Sequence, residues 1–297
     1  MCRWMAYSGS PVLLEDLLYR PTHSLIDQSL HSRLGAETTN GDGFGLGWYG
    51  LGEEPALFHS IEPAWNDRNL RELSRQVMSG LVFAHVRASS GGAIQQTNCH
   101  PFRHQNWLWM HNGLINGFGA LKRDLVLHID PDLYPNLEGS TDSEVFFYLA
   151  LTLGLRDDPA AAVTRAVSLI EAAGRQHGVA DPMQTSVATS DGTTTWAFRY
   201  SSDGKARSLF YSTDEQTLRR MYPDNELLTK LGPSSRLIAS EPLGDLPGVW
   251  NEVPESSCVV VHAGRDEFFP FTPVAVWPSA TGRQTLARNL STSDAFE

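Results

Sequence analysis

Between residues 41 and 50 the chain runs Gly41-Asp42-Gly43-Phe44-Gly45-Leu46-Gly47-Trp48-Tyr49-Gly50, so glycine alternates with large residues. A period of two is the side-chain repeat of a strand, and this strand therefore has one bare face. Bare backbone is needed where another backbone or a ligand must approach closely, and the chain is expected to bring one of them here. Residues 45–50 also satisfy G-x-G-x-x-G. In a dinucleotide site that pattern opens a helix, whereas Leu51-Gly52-Glu53-Glu54-Pro55 follows, so a nucleotide reading is discarded.

Elsewhere the chain reads as strands towards both ends and helices in the middle. Residues 2–8 form a short strand, and Ser10 as N-cap with Pro11 in the first turn starts a helix to about residue 19. Residues 22–40 read as an irregular polar loop able to lie over a site. A helix over 67–78 precedes a buried strand at 81–87. A strand at 106–111 runs into Asn112-Gly113, which by itself is the commonest short hairpin signal. Thr141 and Glu144 have capping-box spacing and open an apolar helix to about 153; Asp158-Pro159 opens a second one ending near 174. Residues 185–190 and 193–200 flank an Asp191-Gly192 turn as a hairpin, and strands are expected at 206–212, 236–240 and 257–262. Without a repeat or a linker, the expectation is one α+β domain of layered architecture over residues 1–275, with a tail at 276–297.

Composition narrows the function. The 297 residues are 41% hydrophobic, enough for a substantial core, while the net charge of −11 and the absence of any basic run argue against nucleic acid and anionic membrane partners. A small-molecule site suits this chain better. No stretch approaches about 20 consecutive apolar residues, and the first residues do not resemble a signal peptide, so a cytoplasmic protein is expected. Cys2, Cys99 and Cys258 are widely spaced and show no C-x-x-C pattern, which suggests neither a disulfide framework nor a thiolate zinc site. His100, His104 and His111 fall near Cys99 without any standard zinc spacing. No metal and no cofactor are expected.

Cys2 is where chemistry gathers. A side chain this small in second position permits removal of Met1, leaving a thiol and a free α-amine on one residue. Such an amine titrates near about 7.7–8.0, low enough to take the thiol proton at neutral pH. Cysteine is equally at home there as a small buried hydrophobe, and position alone does not decide. A thiol attacking an amide further needs donors at the developing oxyanion and groups that hold the substrate. Asn112 offers a side-chain N–H and Gly113 an unobstructed backbone N–H. Arg87, at a strand end, can grip a carboxylate with two donors, and Asp142, near a helix N-terminus, can hold an ammonium. A substrate carrying both groups is an amino acid, and an amide at its far end makes it a γ-glutamyl compound.

In order along the chain, Met1-Cys2-Arg3, Asn40-Gly41-Asp42-Gly43-Phe44-Gly45, His85-Val86-Arg87-Ala88-Ser89, Asn98-Cys99-His100-Pro101-Phe102, His111-Asn112-Gly113 and Thr141-Asp142-Ser143-Glu144 resemble the class II glutamine amidotransferases, members of the N-terminal nucleophile hydrolases. The resemblance spans most of residues 2–150, and the 236–241 strand with Pro242 and Trp250 is similar to the family's closing strands. It implies a four-layer αββα sandwich with Cys2, freed of Met1, at the end of a central strand. Matched by position, it implies Cys2 as nucleophile, Asn112 and Gly113 as oxyanion hole, Arg87 as α-carboxylate clamp and Asp142 as α-ammonium anchor. Ser89, Ser90 and His111 are counted with the substrate pocket, and Asp42 and His100 stand behind it. One departure follows the arginine, where many members carry an aromatic and then a His-Gly pair. Ala88 and Ser90-Gly91-Gly92 stand there instead, so Ser89 or Ser90 is expected to supply a hydroxyl.

The reaction implied is cleavage of a γ-glutamyl amide through a thioester on Cys2, releasing glutamate. No synthase domain is expected, because residues 150–297 are needed to complete the sandwich. The Cys2-Arg3 start, Pro11-Val12-Leu13-Leu14 and His23-Ser24-Leu25-Ile26-Asp27-Gln28-Ser29 resemble the short members that cleave γ-glutamyl thiol compounds in ergothioneine synthesis and glutathione breakdown. Two alternatives stand beside this. One is a glutaminase subunit serving a separate synthase or peptidase subunit; the other is a catalytically silent binding subunit that keeps Met1.

Overall fold

The computed structural model describes residues 2–34, 38–89, 92–232, 234–262 and 265–274. Strand β1 (Arg3–Leu13) is followed by helices α1 (Leu14–Leu18) and α2 (Leu25–His31), strands β2 (Phe44–Trp48) and β3 (Ala56–Ser60), helix α3 (Arg68–Ser74) and strand β4 (Met78–Val86). Strands β5 (Phe102–His104) and β6 (Trp107–Ile115) lead into helices α4 (Phe118–Val126), α5 (Asp142–Thr152) and α6 (Pro159–Gln176). A hairpin of β7 (Met183–Ser190) and β8 (Thr194–Ser201) precedes β9 (Phe210–Ser212) and helices α7 (Glu215–Met221) and α8 (Glu226–Lys230). Strands β10 (Arg236–Ala239), β11 (Trp250–Glu252), β12 (Ser257–His262) and β13 (Arg265–Pro270) complete the described strands and α-helices. One sheet has the order β11-β9-β10-β1-β4-β2-β3 and the other β13-β12-β8-β7-β6-β5, with antiparallel pairing throughout.

Three apolar clusters separate four layers. Alternation along β1 points Trp4 and Ala6, with Phe83 of the neighbouring β4, at the second sheet, where they meet Leu108, Met110 and Val259, and turns Met5 and Tyr7 towards the helices. On that outer face Leu14, Leu17 and Leu18 of α1 pack with Phe44, Leu46 and Val82. Beyond the second sheet, Trp109 and Val187 pack against Phe146 and Phe147 of α5 and Ile170 of α6. The four-layer αββα sandwich expected from the sequence is the observed arrangement. Its glycine strand works as anticipated: a Cβ on Gly45 would strike the carbonyl of His100, and one on Gly47 would lie 2.7 Å from Pro101 Cγ. The tail expected at 276–297 lies outside the described residues, and no described helix is long and apolar enough to cross a membrane.

Several local expectations need correction. Residues 10–13 extend β1 instead of starting a helix, with Val12 and Leu13 opposite Ser79 and Met78 beyond a register shift. Pro11 falls within that irregularity, where the ladder does not need its missing N–H. Residues 22–40 are not all loop, since Ser24 caps α2 by accepting the Asp27 N–H at 3.1 Å. Asn112-Gly113 makes no turn; β6 continues to Ile115, paired with β7 from Leu108↔Ser190 to Ile115↔Met183. A whole ladder outweighs the local preference of two residues. The expected strand at 206–212 shortens to β9. Thr141 does cap α5, accepting the Glu144 N–H at 3.2 Å, but the Glu144 carboxylate turns to the N–H groups of Glu138 and Gly139 instead of closing the box.

Candidate active site

Cys2 sits at the start of β1, a strand flanked on both sides within its sheet. The pairing of Arg3 with Val86 brings the end of β4 alongside it. The Ala88 N–H donates to Cys2 Sγ at 3.4 Å, and the thiol lies 3.5 Å from the Ala88 carbonyl. Burial pushes the Cys2 thiol above its usual range, against the Ala88 hydrogen bond and nearby positive charge that includes Arg87. A thiol held in its protonated form needs a base before it can attack.

Asn112 reaches Cys2 from β6 of the opposite sheet. Its Nδ2 donates to the Cys2 carbonyl at 2.8 Å, and its Oδ1 lies 3.1 Å from His85 Nε2. An amide nitrogen carries two hydrogens, so one remains for an oxyanion. At Gly113 the backbone has φ +140°, and a Cβ would strike the Gln184 carbonyl and lie 2.9 Å from His111 Nε2. No side chain can be accommodated beside that N–H.

Arg87 is buried, yet no carboxylate pairs with it among the described residues. Its Nη1 reaches the Asp42 carbonyl and its Nη2 the Ser89 hydroxyl, each at a long 3.4 Å. A buried cation without an anion is costly, and the guanidinium retains donors for a carboxylate. Asp42 braces the turn that carries it: its Oδ2 accepts the Ser89 N–H at 2.7 Å, and its own N–H donates to the Arg87 carbonyl at 3.0 Å. The Ser89 hydroxyl donates to Gly92 at 2.7 Å. Ser90 lies outside the described residues.

On the other side, Asp142 accepts the Ile115 N–H through Oδ2 and the Ser143 N–H through Oδ1, both at 2.8 Å. His111 Nδ1 meets the Ser143 hydroxyl at 2.8 Å, which links it to Asp142 at one remove. Burial pushes the His111 imidazole below its usual range, although Asp142 and the Gln184 backbone pull it up. His100 packs against His85 with ring centroids 4.3 Å apart and planes tilted by 37°, and burial holds it well below the usual imidazole range, as do the neighbouring charges. Among the described residues no group of His, Cys, Asp or Glu side chains gathers to hold a metal.

Arg3, His85 and Glu241 were not expected as members of the site. Arg3 Nη1 donates to the Cys2 carbonyl at 3.0 Å, while its Nε donates to Glu241 Oε2 at 2.7 Å. Glu241 also accepts the N–H groups of Arg33 and Leu34, at 2.8 and 3.0 Å, and faces His23 Nε2 at 2.5 Å. The available signal was Arg3 itself, because a charge in an apolar strand demands a buried partner. Glu241→Ala takes the carboxylate away from that buried guanidinium, and should cost about 3–5 kcal/mol in urea unfolding. Burial alone would raise Glu241, but His23, the two N–H groups and Arg3 together hold its carboxyl below the usual range. A depressed carboxyl stabilises fully above its unfolded value and loses that contribution as pH falls through the folded one. The gap between the two proteins should therefore shrink below about pH 4; a gap independent of pH would contradict this.

Residues 19–274 match the family model described as glutamine amidotransferases class-II. The chain is 36% identical to a probable glutamine amidotransferase of Saccharomyces cerevisiae, DUG3, over 92% of this chain and 87% of that one. It is 27% identical to the gamma-glutamyl-hercynylcysteine sulfoxide hydrolase of Mycolicibacterium smegmatis, over 92% of this chain and 100% of the other. Among solved structures, a glutamine aminotransferase class-II domain protein from Silicibacter pomeroyi matches with a TM-score of 0.70 at 33% identity, covering 92% of this chain and 99% of that one.

Proposed function

The chain belongs to the class II glutamine amidotransferases, and on that footing we propose that it hydrolyses the γ-glutamyl amide bond of glutamine or a γ-glutamyl conjugate through a thioester on Cys2, once Met1 is removed. The observation that carries this reading is Arg87, a buried guanidinium with no carboxylate on it among the described residues, whose chain neighbour Ala88 touches the Cys2 sulfur. A substrate with its α-carboxylate on Arg87 and its α-ammonium on Asp142 would present the far amide to Cys2. The freed α-amine takes the thiol proton, and sulfur attacks the γ-carbonyl carbon. Its π electrons move onto oxygen, where the spare Asn112 N–H and the Gly113 N–H receive the charge. Collapse expels the amine, which takes its proton from the α-ammonium of Cys2. Water, losing a proton to the Cys2 α-amine, then attacks the thioester carbonyl, and the C–S bond breaks to release glutamate as the sulfur takes that proton back.

One comparison favours a hydrolase acting on a conjugate over an ammonia supplier. The match with the hydrolase from Mycolicibacterium smegmatis covers that protein from end to end, and its name specifies a γ-glutamyl conjugate as substrate. Ser89 supports the Arg87 guanidinium, and His111, through Ser143, supports Asp142. With three free cysteines the protein suits a reducing compartment, and we place the reaction in the cytoplasm. Glutamate release from L-glutamine, γ-glutamylcysteine, glutathione and S-substituted γ-glutamylcysteines tests the reading. At least one conjugate should outpace glutamine; no release from any of them by a chain lacking Met1 would overturn it. On the preferred substrate, Arg87→Ala should raise KM with kcat nearly unchanged, and lower kcat/KM by about 30-fold or more, the loss of one side of a buried charge pair.

A further inference from the structure

We propose that His85 is the positioning residue of the oxyanion hole: from β4 of one sheet it decides which way the Asn112 amide, on β6 of the other, is turned. The proposal rests on the hydrolase reading above and adds a residue to it. Leu81, Phe83 and His85 share the face of β4 that looks across to the second sheet, and His85 Nε2 meets Asn112 Oδ1 there at 3.1 Å. The ring is 1% exposed, and burial pushes it down to about 3, so it stays neutral and carries one proton. Its Nδ1 has no partner among the described residues. With the proton on Nε2, His85 donates to Oδ1 and the amide must turn Nδ2 towards Cys2.

The other end of the amide enforces the same choice. Nδ2 donates to the Cys2 carbonyl at 2.8 Å, an oxygen that already receives Arg3 Nη1 at 3.0 Å. A flipped amide would press Oδ1 against that oxygen and leave no N–H for an oxyanion. His85 thus supplies the attractive half of an orientation lock, and the Cys2 carbonyl the repulsive half. Contact with His100, whose ring is tilted by 37° and itself lies 4.5 Å from Phe102, confines the imidazole. His100 adds no competing bond, since neither of its nitrogens has a partner among the described residues. His85 acts through Asn112 and takes no proton in the reaction.

Steady-state release of p-nitroaniline from γ-glutamyl-p-nitroanilide, and of glutamate from L-glutamine, tests this with H85L, H85Q, N112A and H85L/N112A. In H85L kcat should fall by about 10²-fold, comparable with loss of an oxyanion donor, with KM within about threefold. H85Q keeps an N–H for Oδ1 and should recover at least about tenfold of that loss. Because His85 acts only through Asn112, the double variant should be no slower than N112A. Unchanged kcat in H85L, an H85Q as slow as H85L, or losses that multiply in the double variant would overturn the proposal. Should H85L fail to fold, H85Q/N112A is compared with N112A, and losses that multiply there overturn it likewise. An N112A protein as fast as the wild type would strike the hydrolase reading itself, whereas a slow N112A beside an unimpaired H85L removes His85 alone.

Discussion

Cys2→Ala will abolish glutamate release while the protein still folds and still binds glutamate. The variant deletes one atom, and the described contacts of that atom are the N–H and carbonyl of Ala88, which are held by the chain after β4. Neither Arg87 nor Asp142 depends on the sulfur for its position. The cost therefore falls on turnover, where removal of a nucleophile is expected to lose at least about 10⁴-fold. Rates measured beside the thermal unfolding midpoint and calorimetric binding of glutamate separate the effects. Residual turnover within tenfold of the wild type would assign the nucleophile elsewhere.

Asn112→Ala should lower kcat by roughly 10²–10³-fold with little change in KM, the signature of a donor that acts only on the transition state. The Cys2 carbonyl keeps its bond from Arg3 in this variant, so the nucleophile stays in place. The substrate carboxylate keeps Arg87, so binding survives. Arg87→Ala is its mirror image, weakening binding and sparing kcat. Equal and small effects from both would remove the roles given to each.

That Cys2, Asn112 and the segment after Arg87 meet was legible because each lies in one of the short motifs that follow one another along the chain. The glycines of β2 announced a close neighbour two residues at a time, and Gly45 and Gly47 do face the second sheet. Thr141 marked the start of α5 through a bond that spans three residues. What could not be read was set at long range. Asn112-Gly113 carries a turn signal that only the ladder with β7 overrules. Helix α4 begins at Gly117 with φ +70° and no side-chain cap, so no Ser, Thr or Asp marked it. Helices α7 and α8 do have capping residues, Asp214 and Asn225, but at seven and five residues they are too short to show a helical period in the sequence. Glu241 and His85 owe their importance to partners 238 and 27 residues away, Arg3 and Asn112, and no local pattern records such a meeting.

Everything assigned to Cys2 requires that its nitrogen be a free amine. The intact mass of the purified, active protein reads this at once, alongside its rate of glutamate release. A chain lighter than the full sequence by one methionine, with activity rising in proportion to the processed fraction, is the predicted result. Full activity in a chain that still carries Met1 would contradict it.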